Sequence, residues 1–138
     1  MKKEKKIRVL LSKCDQDAHE YSVRYLAALL KEAGAEVVFT RYQMIDEVVE
    51  TALQEGVDAI GLSFYSSGVM YDAPRVMSLL KEKNAEDIMV VFGGTINEEE
   101  KSELLRLGAS QVFTPGQGTV PDVVDYIISQ VGEISSGG

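Results

Sequence analysis

The sequence has a single cysteine, Cys14, and therefore no internal disulfide; a reducing cytoplasm is the compartment that suits such a chain. No apolar run approaches the roughly 18 residues that a membrane span needs. The first six residues, Met1 to Lys6, are a charged stub, and the apolar stretch Ile7 to Leu11 behind them is too short for the core of a signal peptide. Basic charge is scarce as well. The net charge is −8, and outside the stub 10 basic residues face 21 acidic ones, or −11. A nucleic-acid duplex or an anionic bilayer repels such a body, which counts against both as partners. The only histidine is His19, so there is no pair of imidazoles for acid–base work. No Ser-His-Asp set with a nucleophile elbow is present either.

What remains is an ordinary globular composition: 138 residues, 45% hydrophobic and 26% charged, enough for one domain with a real core. Residues 1–6 read as a flexible stub, 7–132 as the domain and 133–138 as a flexible tail. Apolar runs and helical stripes alternate five times along it. Ile7 to Ser12, Val37 to Thr40, Val57 to Ser63, Ile88 to Phe92 and Gln111 to Phe113 read as strands. Between them lie helical patterns. The first, from about Glu20 to Ala33, carries Val23, Leu26, Ala27 and Leu30 on one face and ends at Gly34. The second buries Ile45, Val48, Val49, Ala52 and Leu53 and stops at Gly56. The third starts at Asp72 and Pro74 and stops at Asn84, with Met70 and Met77 as gap-fillers. In the fourth, Asn97 and Glu100 form a capping box, Glu98 and Glu99 face solvent, and Leu104 and Leu105 pack inward before Gly108. The fifth is the stripe Val120, Val123, Val124, Ile127, Ile128 and Val131.

Strands apolar on both faces need helices on both faces. Five such units with right-handed crossovers give an α/β, doubly wound, five-stranded parallel sheet of the flavodoxin-like (Rossmann-like) kind, with strand order 2-1-3-4-5. Ligands of such sheets sit at the carboxyl ends of the strands, where the winding reverses. The segments to read are therefore Lys13 to Tyr21, Phe64 to Tyr71, Gly93-Gly94 and Pro115 to Gly118. A dinucleotide site needs G-x-G-x-x-G after the first strand, and Ser12-Lys13-Cys14-Asp15-Gln16-Asp17 has no glycine. A flavodoxin's hydroxyl-rich phosphate loop is also missing there. A phospho-receiver needs an aspartate at the end of the third strand, where Ser63 stands, and a lysine after the fifth, where Thr114 and Pro115 stand. Cys14, at the end of the first strand, reads as a small hydrophobe.

The first loop does hold Asp17-Ala18-His19. A carboxylate two residues before an imidazole can accept one ring N–H and leave the other nitrogen free for a metal. One histidine cannot build a protein-only zinc site, which wants about four ligands. If His19 ligates a metal, most of the coordination sphere must come with it, as in a tetrapyrrole-like cofactor.

Asp17-Ala18-His19, Ser63 and Gly93-Gly94 match in order the D-x-H-x-x-G, S-x-L and G-G motifs of cobalamin-binding domains. Over residues 7 to 130 the chain resembles the methylmalonyl-CoA mutase branch, including the separate small subunits of acyl-CoA mutases. Gln54 to Ser63 and Phe113-Thr114-Pro115-Gly116 carry the likeness to that branch. The resemblance implies cobalamin, and adenosylcobalamin in this branch, with His19 as the lower axial ligand of cobalt and Asp17 holding His19. It implies that Ser63 hydrogen-bonds the displaced benzimidazole, and that Gly93 and Gly94 let the nucleotide tail lie close to the backbone. It also implies a large barrel subunit that binds the acyl-CoA, and an exposed apolar rim where that partner closes over the cofactor. No catalytic residue is implied in this chain, since the cofactor carries the chemistry. Three positions depart from the family pattern: Ser22 stands for the glycine of the first motif, Tyr65 for the leucine of the second, and Ser67 for a glycine just beyond. Each adds bulk near the implied tail site. Two alternatives follow from these residues: an interaction or regulatory module of the same fold without cobalamin, and a methyl-carrying corrinoid protein. The latter usually has a helical bundle before the first strand, and here that strand begins at Ile7.

Overall fold

The computed structural model describes residues 6–14, 21–64, 68–114, 116 and 118–136, the last five of these as backbone. The stub at 1–5, Asp17, His19, Tyr65 and Ser67 lie outside the described residues. The chain runs β1 (Arg8–Cys14), α1 (Tyr21–Glu32), β2 (Glu36–Tyr42), α2 (Asp46–Glu55), β3 (Ala59–Phe64), α3 (Val69–Glu82), β4 (Met89–Gly94), α4 (Glu98–Arg106), β5 (Gln111–Phe113) and α5 (Val120–Ser136). All strand pairs are parallel and the order is β2-β1-β3-β4-β5.

Alternation along each strand divides the core into two layers. Leu10, Ile60, Leu62, Val90, Phe92 and Val112 face α2, α3 and α4, where they meet Val48, Val76, Leu80 and Leu104. Val9, Leu11, Ala59, Met89 and Val91 face α1 and α5, where they meet Val23, Leu30, Val124 and Ile127. The capping box at α4 forms as the spacing predicts: Asn97 Oδ1 accepts from the Glu100 amide at 2.8 Å, and Glu100 Oε1 accepts from the Asn97 amide at 3.0 Å.

The structure differs from the sequence-based expectation at several ends. The ladders carry β1 to Cys14, β2 to Tyr42, β3 to Phe64 and β4 to Gly94, one or two residues past the apolar runs, because backbone pairing continues where hydrophobicity stops. Helix α3 begins at Val69, not at Asp72, and encloses Pro74. Val69 and Ala73, one turn apart, are both buried, and their packing outweighs the intrahelical bond that Pro74 cannot make. Helix α5 continues to Ser136 through most of the stretch expected as a tail. Met70, Leu53 and Leu105 are exposed rather than packed inward. Each lies beside a buried residue of its helix on the edge of the apolar stripe, where periodicity alone does not separate core from rim.

Candidate functional site

At the carboxyl end of the sheet, on the α1–α5 side, lies a cleft of about 440 Å³. Small-ligand sites commonly measure roughly 300–1,000 Å³. Its floor follows from the register. Ser63, Gly93 and Phe113 form an outer row that Lys13 continues on β1, and Leu11, Gly61 and Val91 form an inner row that Gln111 continues on β5. The rows are about 7 Å apart, two parallel-strand rises. Helix α1 walls one side with Ser22, Val23 and Leu26, and α5 walls the other with Val120, Val123 and Ile127. Both helices run inward from the carboxyl end, so their first turns stand at the mouth and their next turns deeper.

The cleft exists because its floor lacks side chains. Gly61 sits mid-strand in β3, and a Cβ there would lie 2.8 Å from Leu11 Cδ2. Leu11 leans over Gly61, and the cleft opens beside them between the two helices. The two adjacent glycines differ. A Cβ on Gly93 would make only an ordinary contact, 3.7 Å from the Phe113 carbonyl, and the residue lines the cleft. Gly94 has φ +107°, and a Cβ there would run into the Phe64 backbone, whose carbonyl accepts from the Thr95 amide at 2.6 Å. The β3–β4 turn-off therefore requires Gly94 whether or not a ligand is present.

The mouth is polar. Ser22 and Ser63 are half-buried, and Thr119 stands at the start of α5. The Thr119 amide donates to Asp122 Oδ2 at 2.8 Å, and Thr119 Oγ1 accepts from the Asp122 amide at 3.3 Å, so this helix start is capped by its own side chains. Lys13 is 1% exposed and its Nζ donates to the Cys14 carbonyl at 2.9 Å. On the opposite layer the Tyr42 hydroxyl donates to Asp72 Oδ2 at 2.9 Å and ties the end of β2 to the first turn of α3.

Of the residues expected at a site, Ser22, Ser63, Gly93 and Gly94 all line this one cleft. Asp17, His19 and Tyr65 lie outside the described residues. Gly61, Lys13 and Thr119 were not singled out in the sequence. Gly61 had a legible signal, since a glycine inside a strand marks close approach by something else. Lys13 continues the alternation of Val9 and Leu11, which places it on the α1–α5 face. Among the described residues no three His, Cys, Asp or Glu side chains group as a metal site. The resolved titration shifts lie away from the cleft. Hydrogen bonding from Arg75 lowers the Asp46 carboxyl below its ordinary value, and Arg106 does the same to Glu103. Among the described residues no helix is long and apolar enough to cross a membrane.

Comparison with known proteins places this cleft in context. The B12 binding domain family matches residues 7–124. The chain is 36% identical over 127 residues to the 2-hydroxyisobutanoyl-CoA mutase small subunit of Aquincola tertiaricarbonis, covering 91% of this chain and 92% of that one. It is 39% identical over 111 residues to the pivalyl-CoA mutase small subunit of Xanthobacter autotrophicus, covering 80% and 74%. Among solved structures, a cobalamin-binding protein from Desulfitobacterium hafniense superposes with TM-score 0.74 at 20% identity, over 92% of this chain and 60% of that one. The receiver domain of NarL from Mycobacterium tuberculosis superposes with TM-score 0.73 at 16% identity, over 94% and 98%. At such identities the superpositions establish the fold alone.

Proposed function

The chain belongs to the B12-binding domain family, and from that premise we propose that it is the cobalamin-carrying small subunit of an adenosylcobalamin-dependent acyl-CoA mutase, with His19 as the axial ligand of cobalt. The observation that carries the proposal is the cleft whose floor is Ser63, Gly61 and Gly93. It is a preformed slot beside the sheet, open where side chains would otherwise fill it, next to the strand end from which the His19 segment departs. Such a place would suit the nucleotide tail of a cobalamin: Ser63, Gly61 and Gly93 would hold the tail between α1 and α5, and His19 would hold the cobalt. The two mutase small subunits support the choice of reaction class.

Each residue has a task within this proposal. His19 supplies a nitrogen to cobalt. Asp17, two residues earlier, accepts the other ring N–H and fixes the tautomer, which raises the basicity of the ligating nitrogen. Ser63 offers its hydroxyl to the base of the tail at the cleft mouth, and Gly93 and Gly61 keep the floor low enough for the tail to lie against the sheet. Bound adenosylcobalamin supplies a cobalt–carbon bond whose homolysis starts radical rearrangements; the chain itself binds and orients. The acyl-CoA site belongs to a separate large subunit. Tyr21 and Tyr71 are 83% and 79% exposed, at the first turns of α1 and α3, and Met44 is exposed in the β2–α2 connection. These positions follow the carboxyl ends of three neighbouring strands. They offer the apolar rim against which such a partner would close.

An absorbance titration of the chain with hydroxocobalamin and adenosylcobalamin, beside His19→Ala, tests this. Saturable binding with a base-off, histidine-on spectrum that the variant loses is the expected result. No spectral change at concentrations well above those of a working cofactor site would overturn it and leave an interaction module of the same fold.

A further inference from the structure

We propose that β2 is an assembly edge: two copies of the chain pair their β2 strands antiparallel about Phe39 and join their sheets into one. β2 lines no part of the cleft, and this pairing is independent of whether a cofactor binds. The sheet has two edges. β5 is three residues long, too short to template another strand. β2 runs for seven and pairs with β1, residue for residue and without a bulge. It holds no proline, glycine or lysine, and Val37, Val38, Phe39 and Thr40 are strong strand formers. Its two charges, Glu36 and Arg41, are both engaged away from the outer edge. Glu36 Oε2 accepts from the Arg8 guanidinium of β1 at 2.9 Å. The Arg41 guanidinium lies 5.2 Å from the centre of the Phe39 ring, which Arg24 of α1 also approaches at 5.9 Å. The usual guards of an open edge, a projecting charge, a proline or a bulge, are therefore missing from β2.

The backbone of this edge is complementary to itself. The Glu36 amide donates to the Ile7 carbonyl at 2.8 Å, and the Thr40 carbonyl accepts from Ser12 Oγ at 3.0 Å, both toward β1. By the alternation of a parallel ladder, the N–H and C=O groups of Glu36, Val38, Thr40 and Tyr42 turn inward, and those of Val37, Phe39 and Arg41 turn outward. An antiparallel copy centred on Phe39 meets all the outward groups. Val37 stands against Arg41 of the second copy, Phe39 against Phe39, and Arg41 against Val37, and each such pair exchanges both of its backbone bonds. Any other two-fold register leaves Val37 or Arg41 unmatched. Val37, Val38 and Phe39 are only half-buried in the single chain, whereas the middles of β1, β3 and β4 are buried, and pairing covers them. The contact is closed and isologous. It points the two carboxyl ends in opposite directions, so both clefts stay open. Each copy carries −8, so screening by salt favours the association.

Sedimentation equilibrium of the full chain, at physiological ionic strength and up to hundreds of micromolar, reads the association directly. The wild type is expected to be a dimer in that range. Val37→Pro removes an outward N–H and no bond to β1, and in the dimer it strikes both outer pairs. It is expected to weaken dimerisation at least about tenfold, with a thermal melt close to that of the wild type. Amide exchange on the wild-type chain needs no variant. As the concentration rises, the amides of Val37, Phe39 and Arg41 are expected to slow at least about tenfold. A wild-type chain that stays monomeric overturns the proposal. So does a folded Val37→Pro that dimerises as tightly as the wild type, or a dimer in which these three amides exchange as fast as in the monomer.

Discussion

Gly93 and Gly94 are neighbours in the sequence, share one motif and have different physical reasons to be glycine. Gly94 is held at φ +107°, and a side chain there would overlap the Phe64 backbone. Gly94→Ala is therefore expected to destabilise the fold by about 3 kcal/mol, measured by urea unfolding, with or without cofactor. Gly93 has room for a Cβ as far as the protein is concerned, and that room is the cleft. Gly93→Ala is expected to unfold within about 0.5 kcal/mol of the wild type and to lose at least about tenfold in cobalamin affinity. A variant that keeps full affinity would remove Gly93 from the tail's path. The sequence pattern could pair these glycines with a motif but could not divide their work, because the division depends on what stands opposite each Cα.

At the scale of elements, the two helices over the cleft are shaped differently from the three on the far side. Helices α1 and α5 touch each other and leave the carboxyl end of the sheet open between them, whereas α2, α3 and α4 cover their layer in sequence. The far layer is tied by surface ion pairs, of which Arg75–Asp46 joins α3 to α2 at 3.0 Å. Hydrogen bonding from Arg75 holds the Asp46 carboxyl below its ordinary value of 3.8. A carboxyl lowered in the folded state stabilises the fold above its unfolded value, and that contribution disappears as the pH falls through the folded one. Asp46→Asn is accordingly expected to lower the melting temperature slightly at neutral pH and low salt. The difference should vanish as the pH falls below 3.8 and also in 1 M salt, where screening acts over about 3 Å. A difference that persisted in acid would show that packing, and not charge, is responsible.

For the molecule as a whole, fold and function separate cleanly. The same frame superposes on a receiver domain nearly as well as on a cobalamin-binding protein. Ser63, at the end of β3, is where a receiver needs its aspartate, and on this frame it lines a cleft with Gly61 and Gly93 instead. What the frame does is decided by a few side chains at one end of the sheet. A ligand that binds only the folded chain stabilises it by about 2.7 kcal/mol at a hundred times its Kd. Saturating hydroxocobalamin is thus expected to raise the melting temperature by on the order of 8 °C. Gly61→Val, which fills the floor beside Leu11, should abolish most of that rise. A full rise in Gly61→Val would show that the cofactor is held elsewhere.

The alternation of apolar runs and stripes was sufficient, without tertiary information, for the five strands, the five helices and their order in the sheet. Those features depend on local periodicity and on the right-handed crossover, and both are written in consecutive residues. The caps at Asn97, Gly56 and Gly34 were legible for the same reason. The motif residues Ser63, Gly93 and Gly94 could be placed at strand ends as well. Only the tertiary structure decided that Gly61 lines the cleft, that Gly94 answers to Phe64, and that Lys13 is buried. Each of these depends on which residues the register sets side by side across β1, β3 and β4, far apart in sequence. A cleft is space left between elements, and it comes into being only when they pack.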